Sequence, residues 1–173
     1  MDDSLETIRN QMVALLPRLR RFALSLAGNT ADADDLVQDA VERALRNLHQ
    51  WERGTRLDSW MFRIAQNLFI DEARSRRRNR QVVVEGSENL PEPARDGARD
   101  AESRVTWTQT TQAMMTLPAE QRSAVALVLV EGMSYRDAAD ILGVPIGTLT
   151  SRLARGREAL AEKIFGSAQE VSL

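Results

Sequence analysis

The stretch that decides the fold is Ser134-Tyr-Arg-Asp-Ala-Ala-Asp-Ile-Leu-Gly-Val-Pro-Ile-Gly-Thr-Leu-Thr-Ser-Arg152. Ser134 followed by Asp137 is the pattern of a capping box, so a helix is expected to open at Tyr135. Adjacent Ala138 and Ala139 leave room for a second helix to cross closely. Gly143-Val144-Pro145 makes the turn: Gly143 supplies a positive φ, and Val144 plugs the angle between the helices. Ile146, Leu149, Leu153 and Leu160 give the next helix an inner face. Gly147, Thr148, Thr150, Ser151, Arg152, Ala154 and Arg155 give it an outer one. That face is small, hydroxylic and basic. Small residues admit close approach to a groove wall, and hydroxyls and arginines bond phosphates and base edges. The pattern predicts a helix-turn-helix that enters the DNA major groove. An ordinary helical hairpin with a polar surface is the plainer alternative.

Upstream, the apolar spacing is helical throughout. Leu5, Ile8, Met12, Leu15, Leu19, Phe22 and Leu26 step by three and four. Pro17 interrupts this stripe and favours a helix's first turn, which predicts one helix to Leu15 and another from Pro17. Gly28-Asn29 stops it, and Thr30 is expected to cap the next helix. That helix buries Ala33, Leu36, Val37, Ala40, Val41, Ala44 and Leu48, and turns Asp35, Gln38, Asp39, Glu42 and Arg46 outward. Trp51 to Arg56 reads as a loop around Gly54. A further helix is expected over 58–77, carrying Trp60, Met61, Ile64, Ala65, Leu68 and Phe69. Later, a helix over 103–116 carries Val105, Trp107, Met114 and Met115. Leu117-Pro118 ends it and opens a helix cored by Val125–Val130, which Gly132 closes. Nothing alternates at period two for long enough to make a sheet. The fold class expected is all-α, with two small helical domains at 1–80 and 103–173 and a flexible acidic linker at 81–102.

Charge is divided more sharply than the net −2 suggests. Trp60 to Arg80 holds six arginines (63, 74, 76, 77, 78, 80) against Asp71 and Glu72, a net of +4. Gln81 to Ser103 holds six acids against Arg95 and Arg99, a net of −4. Local sign decides where a phosphate backbone docks. The absence of Cys excludes disulfides and Cys-rich zinc sites, and the single His gives the carboxylates no metal-ligand companion. No cofactor, metal or catalytic group is expected. No apolar run approaches the roughly 20 residues of a membrane span. Met1-Asp-Asp-Ser4 is not a secretory start. A soluble cytoplasmic protein is the expectation.

Five stretches together resemble one family. They are Asp35-Leu-Val-Gln-Asp-Ala40; Leu57-Asp-Ser-Trp-Met-Phe-Arg-Ile-Ala-Gln-Asn67; the basic run Arg74–Arg80; Leu117-Pro-Ala-Glu-Gln-Arg122; and the helix-turn-helix. In this order and spacing, over roughly Met12 to Ile164, they resemble the extracytoplasmic-function (group IV) sigma factors of bacterial RNA polymerase. The resemblance implies a non-enzymatic specificity factor, monomeric when free. Its partners would be core polymerase (β′ clamp and β flap), promoter DNA and an anti-sigma factor. Asp35, Gln38, Asp39 and Glu42 would grip the β′ clamp. Trp51, Trp60 and Asn67 would receive the opened −10 strand, including a flipped base held in the loop. Arg63, Arg74, Arg76, Arg77 and Arg78 would take phosphates there. Thr150, Ser151, Ala154 and Arg155 would face the −35 bases and nearby phosphates, with Gly147, Thr148 and Arg152 nearer the backbone. The acidic linker would thread the polymerase's basic channels.

The sequence departs from the family's common pattern at Thr150, Ala154 and Trp51-Glu-Arg-Gly54, so promoter preference cannot be read from the likeness. Two other functions remain open at this point. One is a dimeric helix-turn-helix regulator that uses the first module to dimerise. The other is a sigma mimic that sequesters an anti-sigma factor.

Overall fold

The computed structural model describes residues 2–82 and 109–169, and every regular element among them is helical. In chain order these are α1 (Asp2–Ala27), α2 (Thr30–Arg46), a 3-10 turn (Leu48–Gln50) and α3 (Leu57–Val82). Beyond them come α4 over 109–115, α5 (Ala119–Val125), a π-helical turn (Ala126–Val130), α6 (Tyr135–Leu142) and α7 (Ile146–Gln169). The expected linker falls almost wholly outside the described residues, as do Val105 and Trp107. Its first two positions, Gln81 and Val82, belong to α3.

The first module is a three-helix bundle. Ile8, Met12, Leu19, Phe22 and Leu26 of α1 meet Leu36, Ala40 and Ala44 of α2 and Met61, Phe62 and Ala65 of α3. The rings of Phe22 and Phe62 stand edge to face, 5.1 Å apart, an arrangement that suits their quadrupoles. Phe62 is therefore core.

The break expected at Pro17 does not occur: α1 runs unbroken through it. Pro17 and Val13 both lie at the surface, so the Val13 carbonyl that loses its N–H partner faces water rather than the core. Buried side chains on both sides of Pro17, Met12 before and Leu19 after, hold the helix together. Gly28 then ends it in the left-handed region, at φ 79°. A Cβ there would displace the flexible Met115 thioether, and the left-handed backbone would strain any other residue at this position. Asn29, not Thr30, caps α2: its side-chain oxygen accepts the Asp32 N–H at 2.9 Å. Thr30 is the first helical residue.

In the second module the helix expected across Val125–Val130 changes character midway. After Val125 the backbone widens into a π turn, closed by the Glu131 N–H donating to the Ala126 carbonyl at 3.0 Å. One residue more per turn rotates the chain beyond it, and Glu131 leaves the turn against α1. The helix-turn-helix forms as expected in outline. The Ser134 hydroxyl accepts from Asp137 N–H, and Gly143 caps α6 at φ 64°. Leu149 and Leu153 are buried. Ile146, expected on the inner face, is 54% exposed.

The two modules do not stand apart. Their buried side chains form one continuous cluster, and α1 and α3 pack on α5, the π turn and α6.

Candidate nucleic-acid and polymerase interface

α2 presents Asp35, Gln38 and Asp39 to its outer side, with Glu42 half-buried beside them. Alanines at 33, 40 and 44 seat α2 on the bundle. Helical periodicity then sends these polar side chains the other way. Gln38 donates to Glu42 and Arg46 pairs with it, at 3.2 and 3.1 Å, so the face is a connected acidic-amide strip. Among the described residues no group of three metal-ligating side chains occurs.

α3 divides its circumference. Met61, Phe62, Ala65 and Phe69 go to the core. Trp60, Ile64, Asn67, Asp71 and Arg74, spaced by three and four, form one wall of a cleft of about 710 Å³. The facing wall is Leu142, Gly143, Val144 and Arg152 of the helix-turn-helix, and Arg43, Asn47 and Gln50 close one end. The structure thus gathers Trp60, Asn67, Arg74 and Arg152, which the sequence assigns to two different DNA elements. Gln66 also lines the cleft; it is 3% exposed and its amide oxygen is buried without a partner, as is the Trp51 indole N–H. Gln66 lies within the 57–67 stretch but is not singled out as a site residue in the sequence, because its spacing places it beside the buried Phe62 and Ala65 rather than on the outer face.

The arginines differ in what occupies them. Arg74, Arg77 and Arg78 lie along the last turns of α3, all three exposed. Arg76 pairs with Glu72 one turn back and lies 3.8 Å from Asp32. Arg63 donates to the Asp140 carbonyl of α6 at 2.7 Å. Arg56 bridges Asp58 at 2.9 Å and Asp137 at 2.6 Å. The hydrogen bond from Arg56 holds the Asp58 carboxyl below its ordinary range, against the opposing effect of burial. The Ser59 N–H, the Arg56 charge and Arg18 add to the lowering. Asp58 in turn raises Arg56. Asp137 therefore spends its carboxylate on Arg56, while the Ser134 hydroxyl alone serves as the α6 cap.

Arg122 is visible in the sequence only as part of a motif. Its NH1 donates to the Leu26 carbonyl at 2.6 Å, and NH2 to the Met115 and Leu117 carbonyls at 3.1 and 3.0 Å. The guanidinium lies 5.8 Å from the Phe69 ring centroid. It caps the carboxyl end of α1, where helix carbonyls are richest in negative potential. Burial lowers its pKa.

On α7, Gly147, Thr150, Ser151, Ala154 and Arg155 are exposed, with Arg152 half-covered and Thr148 on the rim. Thr150 and Ser151 return their hydroxyls to the Ile146 and Thr148 carbonyls, at 2.8 and 3.0 Å. Gly156 sits on the opposite side. A Cβ there would fall 2.7 Å from a Val125 methyl, so α7 crosses α5 at a distance only glycine permits. The sequence pattern does not distinguish this glycine from an exposed one.

The Sigma-70 region 2 family model matches residues 12–79, and that of Sigma-70 region 4 matches residues 108–160. The chain is 36% identical over 160 residues to the ECF RNA polymerase sigma factor EcfG of Rhodopseudomonas palustris, covering 92% of this chain and 86% of that protein. The chain belongs to the ECF sigma factors. This sigma factor is also 36% identical to SigE of Mycolicibacterium smegmatis, over 90% of its own length and 60% of the relative's. Among solved structures it is similar to the sigma factor RpoE of Bartonella quintana, crystallised in complex with the anti-sigma factor NepR. The TM-score is 0.75 at 35% identity, covering 92% of this chain and 97% of that one. Its family is a class of transcription factors, not of enzymes. No helix among the described residues is long and apolar enough to cross a membrane.

Proposed function

We propose that this sigma factor recruits core RNA polymerase through Asp35, Gln38, Asp39 and Glu42. It opens and holds the −10 element with Trp51, Trp60, Asn67 and the arginines of α3. It reads the −35 element with Gly147, Thr148, Thr150, Ser151, Arg152, Ala154 and Arg155. The observation that carries the reading is the chemistry of two surfaces in one chain. The Trp60–Asn67–Arg74 wall offers an aromatic ring, an amide and a cation along one face of α3, each about two turns from the next, a set that suits successive unstacked nucleotides of one strand. The α7 face offers small, hydroxylic and basic groups at a helix N-terminus, the set a major groove needs. The domain boundaries proposed with it are 1–80, 81–102 and 103–173, and the protein works in the cytoplasm, where its polymerase is.

Control by an anti-sigma factor is part of the proposal, supported by the partner in the Bartonella quintana complex. A stress response fits such control. The match to region 2 over residues 12–79 removes the need to make the first module a dimerisation domain. A sigma mimic would have no use for the arginines of α3 or the open face of α7. Run-off transcription with core polymerase and a promoter library tests the proposal. Initiation from a subset of promoters is expected, and silence on all of them would overturn it.

A further inference from the structure

We propose that Asp71 makes the α3 wall selective: its carboxylate takes the pairing edge of one guanine in the opened −10 strand. This role rests on the proposed assignment of that wall to the −10 element. Asp71 shares a face of α3 with Asn67, four positions before it, and Arg74, three after it, and lines the cleft with them. It is exposed there. Other carboxylates of α3 are engaged: Glu72 pairs with Arg76, and Asp58 with Arg56. Among the described residues no hydrogen bond or ion pair engages Asp71, although Arg43 and Arg74 line the same cleft. An unspent carboxylate is the wrong charge for a wall that meets a polyanion, so its presence there calls for a use.

The physics of the four bases supplies that use. Three positions along a helix rise about 4.5 Å, inside the roughly 10 Å screening length of about 0.1 M salt. A phosphate held by Arg74 is therefore repelled by Asp71. The repulsion weakens every strand alike, and is offset only where a base turns N–H groups toward the carboxylate. A carboxylate has two oxygens, and both only accept. The pairing edge of guanine sets N1–H beside the N2 amine, two donors matched to two oxygens in a charge-assisted, bidentate pair. Adenine and cytosine put a bare ring nitrogen beside their amine. Thymine flanks its one N–H with two carbonyls. Each of these three brings a lone pair against the carboxylate. In duplex DNA the same edge is sealed by the partner strand, so the choice is made on the unpaired strand alone. Asn67, one turn away, carries both a donor and an acceptor and can meet any base. Asp71 cannot, and it trades affinity for choice.

Holoenzyme, the full chain with core polymerase, can be tested on fork-junction promoter fragments whose −10 non-template strand is unpaired. Each −10 position is set in turn to the four bases and to inosine, which is guanine without its N2 amine. Fluorescence anisotropy should show the parent preferring guanine at one position, by about tenfold over the other three bases, and losing affinity when inosine stands there. Asp71→Ala should level all five at that position. It should also bind the non-guanine fragments more tightly than the parent does, because the repulsion is gone, with a salt slope steeper by about 0.7. A guanine preference that survives the substitution overturns the proposal, and so does a parent with no guanine preference at any −10 position. Equal weakening on every fragment overturns it too, since the carboxylate would then act through its arginine neighbours. If Asp71→Ala loses helical circular dichroism, Asp71→Asn decides on the same criteria, because it keeps the size and removes the charge. Promoter initiation without guanine choice would remove only the role of Asp71. Silence of the parent on every fragment and promoter would remove the proposed function and this role with it.

Discussion

The inner wall of α3 and the outer face of α7 are proposed to meet the same polymer, yet the protein treats them differently. The α3 wall of Trp60, Asn67 and Arg74 faces a cleft whose other side is the chain's own helix-turn-helix. The α7 face of Thr150, Ser151 and Arg155 looks into solvent. Their chemistry explains the difference. Of Trp60, Asn67 and Arg74 only the Trp60 ring is half-covered, as an apolar group gains from being, while Asn67 and Arg74 beside it are exposed within the cleft. A groove-reading helix is polar outside and stable uncovered, and needs only a firm seat beneath it. One surface is guarded and the other merely presented.

The seats can be broken first. Phe22 is fully buried and meets Phe62 edge to face. Phe22→Ala is expected to lose about 3–5 kcal/mol. Because the buried side chains of the two modules form one cluster, urea unfolding monitored by circular dichroism should keep a single transition at lower midpoint. Two separated transitions would show that the guarded wall and the presented face stand on independent foundations. Gly156→Val is the counterpart beneath α7. With Val125 already too close for a Cβ, the substitution should cost about 1–3 kcal/mol by overpacking. It should weaken −35 binding without altering any residue that touches DNA.

How much of this contrast is legible in the sequence depends on what each feature is made of. Periodicity finds every helix among the described residues, because burial of one face imposes a spacing. It finds the α7 face for the same reason. It misplaces a break at Pro17, since proline's cost depends on whether the orphaned carbonyl faces water, which a one-dimensional pattern does not record. It puts Ile146 inside, because spacing says which face a residue is on but not whether a neighbour covers that part of the face. Gly156 and Glu131 escape it for a shared reason. Each acts on a neighbour more than 20 positions away or in the other module, and single residues in such contacts leave no local signature. The cleft itself is unforeseeable from two modules read separately.

Direct contact residues sharpen the comparison. Asn67→Ala is expected to slow promoter opening by an amount equivalent to about 1–3 kcal/mol, with core binding intact. Permanganate reactivity of the −10 region reads the first and fluorescence anisotropy with core reads the second. Equal loss of both would point to the fold of α3 instead. Arg155→Ala should have a milder effect, lowering −35 affinity and reducing the salt slope by about one. An unchanged slope would take Arg155 out of the phosphate contacts.

The smallest effect lies where the two surfaces are tied together. Asp58 accepts from Arg56 and Arg18, the same two arginines that reach Asp137 and Glu131. The Arg56 hydrogen bond holds its pKa below the usual carboxylate value. A carboxyl depressed on folding stabilises the folded state fully above its unfolded pKa, near 3.9. That contribution is lost as pH falls through the lower folded value, because the proton then binds the unfolded chain more readily. Stability should therefore decline below about pH 4, and Asp58→Asn should flatten that part of the acid limb while lowering stability at neutral pH. Arg18 and Arg56 are partly solvated, so the change will be a fraction of what a sealed pair would give. If the acid limb keeps its slope in Asp58→Asn, the proton is being taken up elsewhere. The ion pairs of Asp58 with Arg56 and Arg18 would then hold the start of α3 in place without setting the acid limb.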